Sequence, residues 1–116
     1  MLLGIDIGTS ACKVALFERD GRVKAQEAVE YPVYYPAPGW AEQNPDEWWT
    51  AICRGIRKVL EETKAEPGEV DGVGIDGQSW SAIPVDREGN CLANTPIWMD
   101  TRARDICGRV KKEIGF

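Results

Sequence analysis

Histidine is absent from this 116-residue chain, so any general base it carries must be an aspartate or a glutamate. Its four cysteines (Cys12, Cys53, Cys91 and Cys107) are widely spaced and form no C-x-x-C pair. With no histidine to join them, a zinc site is not expected. Cys53 and Cys107 fall on the apolar faces of expected helices and read as small buried hydrophobes in a reducing compartment. No apolar run approaches the ~20 residues of a membrane span. The start, Met1-Leu2-Leu3-Gly4, has neither the basic flank nor the long apolar core of a secretory leader, and Asp6 interrupts it. The cytoplasm is therefore the expected location. Positive charge is outnumbered, with 14 Lys and Arg against 19 Asp and Glu. A net charge of −5 argues against a nucleic-acid groove. Internal repeats and low-complexity linkers are missing as well.

What remains is the composition of an ordinary globular protein, 43% hydrophobic and 28% charged. A single domain of this length buries about two-thirds of the surface its unfolded chain exposes. The most informative stretch is Gly4-Ile5-Asp6-Ile7-Gly8-Thr9-Ser10, with Lys13 close behind. An apolar run ends at a glycine, two hydroxyls and a cation, as in a phosphate-binding turn between two buried strands. Gly8 permits positive φ and close backbone approach. Amides in such a turn form an anion nest, and the hydroxyls can donate to phosphate oxygens. Asp6, the only carboxylate in the group, would be the magnesium partner, since hard cations prefer oxygen ligands. The alternative is a tight hairpin turn in which Asp6 and Thr9 satisfy local backbone amides. Against it stands the position of Asp6 inside the apolar run, because a buried carboxylate needs a partner.

Leu2–Ile7 and Lys13–Glu18 read as strands, and the Asp20-Gly21 turn leads into a third over Arg22–Tyr31. Pro32, Pro36 and Pro38 make Tyr31–Trp40 an irregular loop. A helix follows with Asn44 as N-cap, Pro45 at its first position and Glu47 completing a capping box. Trp48, Ile52, Ile56, Val59 and Leu60 form its apolar stripe, and Pro67-Gly68 closes the segment. Val70–Asp76 reads as a short buried strand. Ser81–Val85 and Cys91–Ala93 read as a hairpin, and Pro96–Met99 as a further extended piece. A last helix is expected from Asp100 or Thr101, with Ala103, Ile106, Cys107, Val110 and Ile114 on its apolar face. Asp100 as its N-cap would be worth ~1 kcal/mol. The order of elements is that of a mixed α/β sheet that stops where another parallel strand is due.

Four stretches together resemble the N-terminal part of the FGGY carbohydrate kinases, and within them the xylulokinase branch. Asp6-Ile7-Gly8-Thr9-Ser10 with Lys13 is similar to the family's first phosphate motif, which actin-like ATPases share. Residues 39–49, from Gly39-Trp40 to Trp48-Trp49, resemble its Gly-Trp-x-Glu-Gln-x-Pro loop and helix start. Gly74-Ile75-Asp76-Gly77-Gln78 is similar to the strand before its sugar-contacting pair, and Ile97-Trp98-Met99-Asp100-Thr101-Arg102 to its Trp-x-Asp-x-Arg segment.

The resemblance implies a ribonuclease-H-like domain of the actin and hexokinase superfamily, incomplete at its C-terminal end. It also implies ATP- and magnesium-dependent phosphorylation of a small sugar or polyol. Asp6 would hold magnesium, and Gly8, Thr9, Ser10 and Lys13 would line the phosphates. Gln78, Ser79 and Trp80 would meet the substrate and Trp98 would form an aromatic wall, with Asp100 and Arg102 as secondary substrate-binding residues. Ser79-Trp80 departs from the Met-His of xylulokinases and the Arg-Glu of glycerol kinases, so xylulose specificity does not carry over. The acceptor base, second phosphate loop and adenine pocket are expected downstream of residue 116. The chain is thus expected to be a truncated or split product, weak as a kinase by itself. A second kinase half, or another copy meeting an unpaired sheet edge, would be its partner. Asp76, at a strand end, is a lesser candidate for the base.

Overall fold

The computed structural model describes residues 1–115. Three antiparallel strands open the chain: β1 (Leu2–Ile7), β2 (Ala11–Phe17) and β3 (Val23–Glu30). β2 begins and ends one to two residues earlier than expected, because the turn after β1 is tighter. Ile7 already pairs with Cys12. A two-residue strand β4 (Glu42–Gln43) precedes helix α1 (Pro45–Thr63), and β5 (Gly72–Gly77) then runs parallel to β1. The main sheet has the order β3-β2-β1-β5. β6 (Thr95–Pro96) pairs with β4, and helix α2 (Arg104–Ile114) closes the described chain.

Period-two alternation puts Leu3, Ile5, Cys12, Val14, Leu16, Ala25 and Val29 on one face of the sheet. α1 covers that face across β2 and β3, burying Trp48, Ala51 and Val59. Its axis comes so close to β2 that a Cβ on Gly55 would lie 2.6 Å from Val14 Cγ2. Asn44 caps the helix by accepting from the Asp46 amide at 3.0 Å. Glu47 does not complete a capping box, because its carboxylate is drawn away to accept from the Tyr34 hydroxyl at 2.8 Å. Lys64, in the left-handed conformation, ends the helix before Pro67 is reached.

Four local expectations are corrected. β5 is not buried. It forms the sheet edge beyond the reach of α1, and Val73 and Ile75 are 57% and 70% exposed. The expected hairpin over 81–93 reduces to a single bridge, Val85 to Cys91, around a turn held by Asp86. α2 starts at Arg104, and Ala103 precedes it without a side-chain cap. Neither Asp100 nor Thr101 caps α2. The Asp100 carboxylate accepts from the backbone amide of Ala41 at 2.8 Å and from Arg102, and Thr101 bonds back to Gly39. Finally, Cys107 is exposed and Cys53 half-buried, while Cys12 is fully buried. The apolar stripe of α2 has no sheet beneath it among the described residues.

Candidate functional site

The turn between β1 and β2 is shaped by what its carbonyls do. The Gly8 carbonyl accepts from the Tyr31 hydroxyl, the Thr9 carbonyl from Gln43 Nε2 at 2.8 Å, and the Ser10 carbonyl from the Tyr31 amide at 3.3 Å. Three successive acceptors are thereby committed to the protein. These oxygens are therefore not left unpaired toward the open side of the turn. Gly8 donates to the Ala11 carbonyl, and a Cβ there would sit 3.1 Å from that oxygen, a tight contact that favours glycine in this turn. The preference is one of space, since Gly8 is not among the residues with positive φ. The Tyr31 phenol, buried beside Cys12 and Asp6, is pushed up to about 12, chiefly by burial.

Asp6 and Lys13 are cross-strand partners on the sheet face opposite α1, and Lys13 Nζ lies 3.5 Å from Asp6 Oδ2. The Asp6 side chain is 46% exposed. The expectation of a buried carboxylate is therefore corrected: alternation along β1 turns Asp6 away from the core that Leu3 and Ile5 enter. Asp76 is the register partner of Asp6 across the parallel pair. Both border a shallow concavity of about 740 Å³ floored by Gly4, Ala15, Ala28 and Gly74. No third His, Cys, Asp or Glu joins them in a metal-binding group among the described residues. Two adjacent carboxylates suit magnesium, which commonly takes one or two protein oxygens and fills its shell with water and phosphate.

On the other side of the turn, β5 runs on past Gly77, with the Gln78 amide donating to the Ile7 carbonyl at 2.8 Å. The Thr9 hydroxyl lies 3.5 Å from Gln78 Oε1 and accepts from Trp98 Nε1 at 2.9 Å. Gly8, Thr9, Gln78, Ser79, Trp80 and Trp98 line a cleft of about 340 Å³. Trp80 is 93% exposed and has φ of 70°, an unusual conformation for a bulky residue. Trp98, 57% exposed, does not lie beneath α2. Its ring forms part of the cleft.

Asp100 and Arg102 stand outside this cleft. Arg102 forks onto Asp100, reaches Glu42 at 2.7 Å, and stacks 3.8 Å from the centroid of Trp40. The guanidinium first, then amide hydrogen bonds, pull the Asp100 carboxyl down to about 2, against the opposing effect of burial. This cluster fastens the 39–42 loop to the segment after Trp98.

Sequence reasoning missed Gln43 as a site residue. It is fully buried and bonded to both the turn and Gln78. Its signals in the chain are its place as the Gln of the Gly-Trp-x-Glu-Gln-x-Pro stretch and its position just ahead of a helix cap, and neither foretells burial. The residues expected at the site thus divide: Thr9, Gln78, Ser79, Trp80 and Trp98 meet in one cleft, Asp6 and Lys13 lie on the neighbouring sheet face, and Ser10 is exposed on the turn.

Residues 1–115 match the FGGY family of carbohydrate kinases, N-terminal domain. A glycerol kinase from Thermococcus gammatolerans is 34% identical over 114 residues, which are 98% of this chain and 23% of that protein. A xylulose kinase from Bacillus subtilis is 30% identical with the same coverage. The solved structure of a xyloylose kinase from Brucella ovis superposes with a TM-score of 0.90 at 30% identity, over 96% of this chain and 23% of that one. The sheet and its helices therefore have the ribonuclease-H-like arrangement of the actin and hexokinase superfamily. The chain spans about a quarter of the length of these relatives.

Proposed function

Because the chain belongs to the FGGY family of carbohydrate kinases, we propose that residues 1–116 are the N-terminal part of the first domain of an ATP-dependent sugar kinase of the xylulokinase kind. In this reading Asp6 helps hold magnesium, with Asp76 beside it, and Gly8, Thr9, Ser10 and Lys13 line the phosphates of ATP. Magnesium, when bound, offsets phosphate charge. Phosphoryl transfer asks the protein mainly to position reactants and stabilise that charge. The turn meets the second need by facing its carbonyls inward. The cleft meets the first: Trp80 and Trp98 present aromatic faces to sugar C–H groups, while Ser79 and Gln78 supply polar contacts. Asp100 and Arg102 support that wall from behind. No residue here is assigned as the acceptor base.

One observation carries the reading. The Trp98 indole donates to the Thr9 hydroxyl at 2.9 Å, so the candidate phosphate turn and sugar wall are physically one unit. The test is calorimetry on the 116-residue chain with magnesium–ATP and, separately, with a pentulose, a hexulose and glycerol. Polyol uptake and only weak uptake of magnesium–ATP are expected, because the adenine pocket is expected downstream, with turnover slower than a complete kinase by the ~100- to 10,000-fold that loss of a general base costs. Ordinary turnover would overturn the assignment of the base elsewhere. No uptake of either ligand would overturn the kinase reading. The free thiols of Cys12, Cys53, Cys91 and Cys107 support the proposed cytoplasmic setting.

A second reading has its own support. Among the described residues β5 is an open sheet edge that itself carries the exposed Val73 and Ile75, and such an edge invites another strand. A separate kinase half, or a second copy of this chain, would then complete the sheet. Light scattering is expected to find a dimer that Ile75→Lys dissociates. A wild-type monomer at all concentrations rules out the self-association.

A further inference from the structure

Gln43 lies behind the candidate cleft and touches both of its walls. A carboxamide has two N–H donors and an oxygen with two lone pairs, and all four positions are occupied. Nε2 donates to the Thr9 carbonyl at 2.8 Å and to the Pro32 carbonyl at 3.2 Å. Oε1 accepts from Gln78 Nε2 at 2.7 Å and from Trp48 Nε1 at 3.2 Å. An indole N–H can only donate, so the Trp48 bond fixes which way the amide points. Gln43 is fully buried, and so is Thr95, its register partner in β6. The side chain has no room to turn away, and any partner it dropped would lose its bond inside the protein.

The consequence reaches the surface. Gln78, pinned through its Nε2, turns its Oε1 to the Thr9 hydroxyl at 3.5 Å. Thr9, pinned through its carbonyl, offers that same hydroxyl to Trp98. The circuit Gln43–Gln78–Thr9 closes on itself and carries Trp98 as its exposed member.

We propose that Gln43 is the positioning residue for both walls of the site: its amide sets Thr9 in the turn and Gln78 beyond β5, and through the Thr9 hydroxyl it sets the indole that faces the polyol. This rests on the reading above that the cleft binds a polyol. A residue that merely filled space would be replaceable by an apolar side chain of similar length. The geometry assigns Gln43 a directional role that such a side chain cannot perform.

The test uses the 116-residue chain labelled with nitrogen-15, following the indole N–H resonances, with D-xylulose and glycerol as probes. Gln43→Met is expected to displace the Trp48 and Trp98 signals together. Gln43→Glu keeps an oxygen for Trp48 and Gln78 but loses both donors, so Trp98 moves more than Trp48. Trp40, stacked on Arg102 outside the circuit, is expected to stay in place and reports an intact fold. Polyol affinity falls about tenfold in both variants, the scale of a net hydrogen bond or two. Thr9→Val, a change on a surface turn, keeps the test decisive if the buried variants fail to fold: it too moves Trp98 and weakens polyol binding, while Trp48 stays. A Trp98 signal that no variant moves, or polyol affinity equal in all folded variants, overturns the proposal. A wild-type chain that binds no polyol removes the reading beneath it, and is told apart because the Trp98 signal still follows Gln43.

Discussion

The indole of Trp98 donates to the hydroxyl of Thr9 at 2.9 Å across 89 positions of sequence. The bond joins a loop before α2 to the turn between the first two strands and leaves the ring 57% exposed. Trp98→Phe keeps an aromatic face and loses the donor, whereas Trp98→Ala loses both. Polyol affinity is expected to fall a few-fold in the first and more than about tenfold in the second, since in the proposed site stacking on the ring supplies most of the contact. Calorimetry on both variants checks this, and equal losses would contradict it.

Gly55 lies where α1 crosses β2. Alanine is the better helix former by about 1 kcal/mol, yet its Cβ would lie 2.6 Å from Val14 Cγ2 and 3.2 Å from Val14 Cβ. Overpacking of this kind costs about 1–3 kcal/mol, so Gly55→Ala is expected to be net destabilising. A urea midpoint equal to or above that of the wild type would refute the close approach.

Acid should loosen the 39–42 loop. The Asp100 side chain is 5% exposed, and Arg102 holds its carboxyl at about 2 in the folded protein, against about 3.9 when unfolded. A depressed pKa adds stability above the unfolded value, and that share is lost as pH falls through the folded one. The stability gap between wild type and Asp100→Asn is therefore expected to be constant above pH ~5 and to close between about pH 4 and pH 2. Denaturation midpoints across that range measure it.

Tyr31 behaves in the opposite sense. Its phenol, raised to about 12, binds its proton more tightly folded than unfolded. It thus stabilises the protein below pH ~10 and loses that effect as pH rises towards 12. Ultraviolet titration should find one of the three tyrosines ionising last, and Tyr31→Phe should remove that step. The same variant frees the Gly8 carbonyl, so phosphate uptake at the turn is expected to weaken as well.

Much of this was legible along the chain because the signals are local. Asn44 and Pro45 announced α1 through the backbone amides next to them, and Asp20-Gly21 announced the second hairpin. The four stretches that resemble the family were readable because each is contiguous. The start of α2 was not, since the Asp100 carboxylate that should have capped it is claimed by the Ala41 amide and by Arg102. That competition exists only once the chain has folded back on itself.

Residue order alone decided the alternation that separates Asp6 from Leu3 and Ile5, the helix cap at Asn44 and the glycine turn at Gly8. Which face of the sheet α1 would cover was left to tertiary packing, and with it the exposure of Asp6 and the bare edge at Ile75. Packing also sealed Gln43 behind Thr9 and Gln78. Neighbouring residues can state a conformational preference, but burial is a property of what arrives on top, and hydrogen-bond partners 34 to 89 positions apart meet only after the sheet has brought them together.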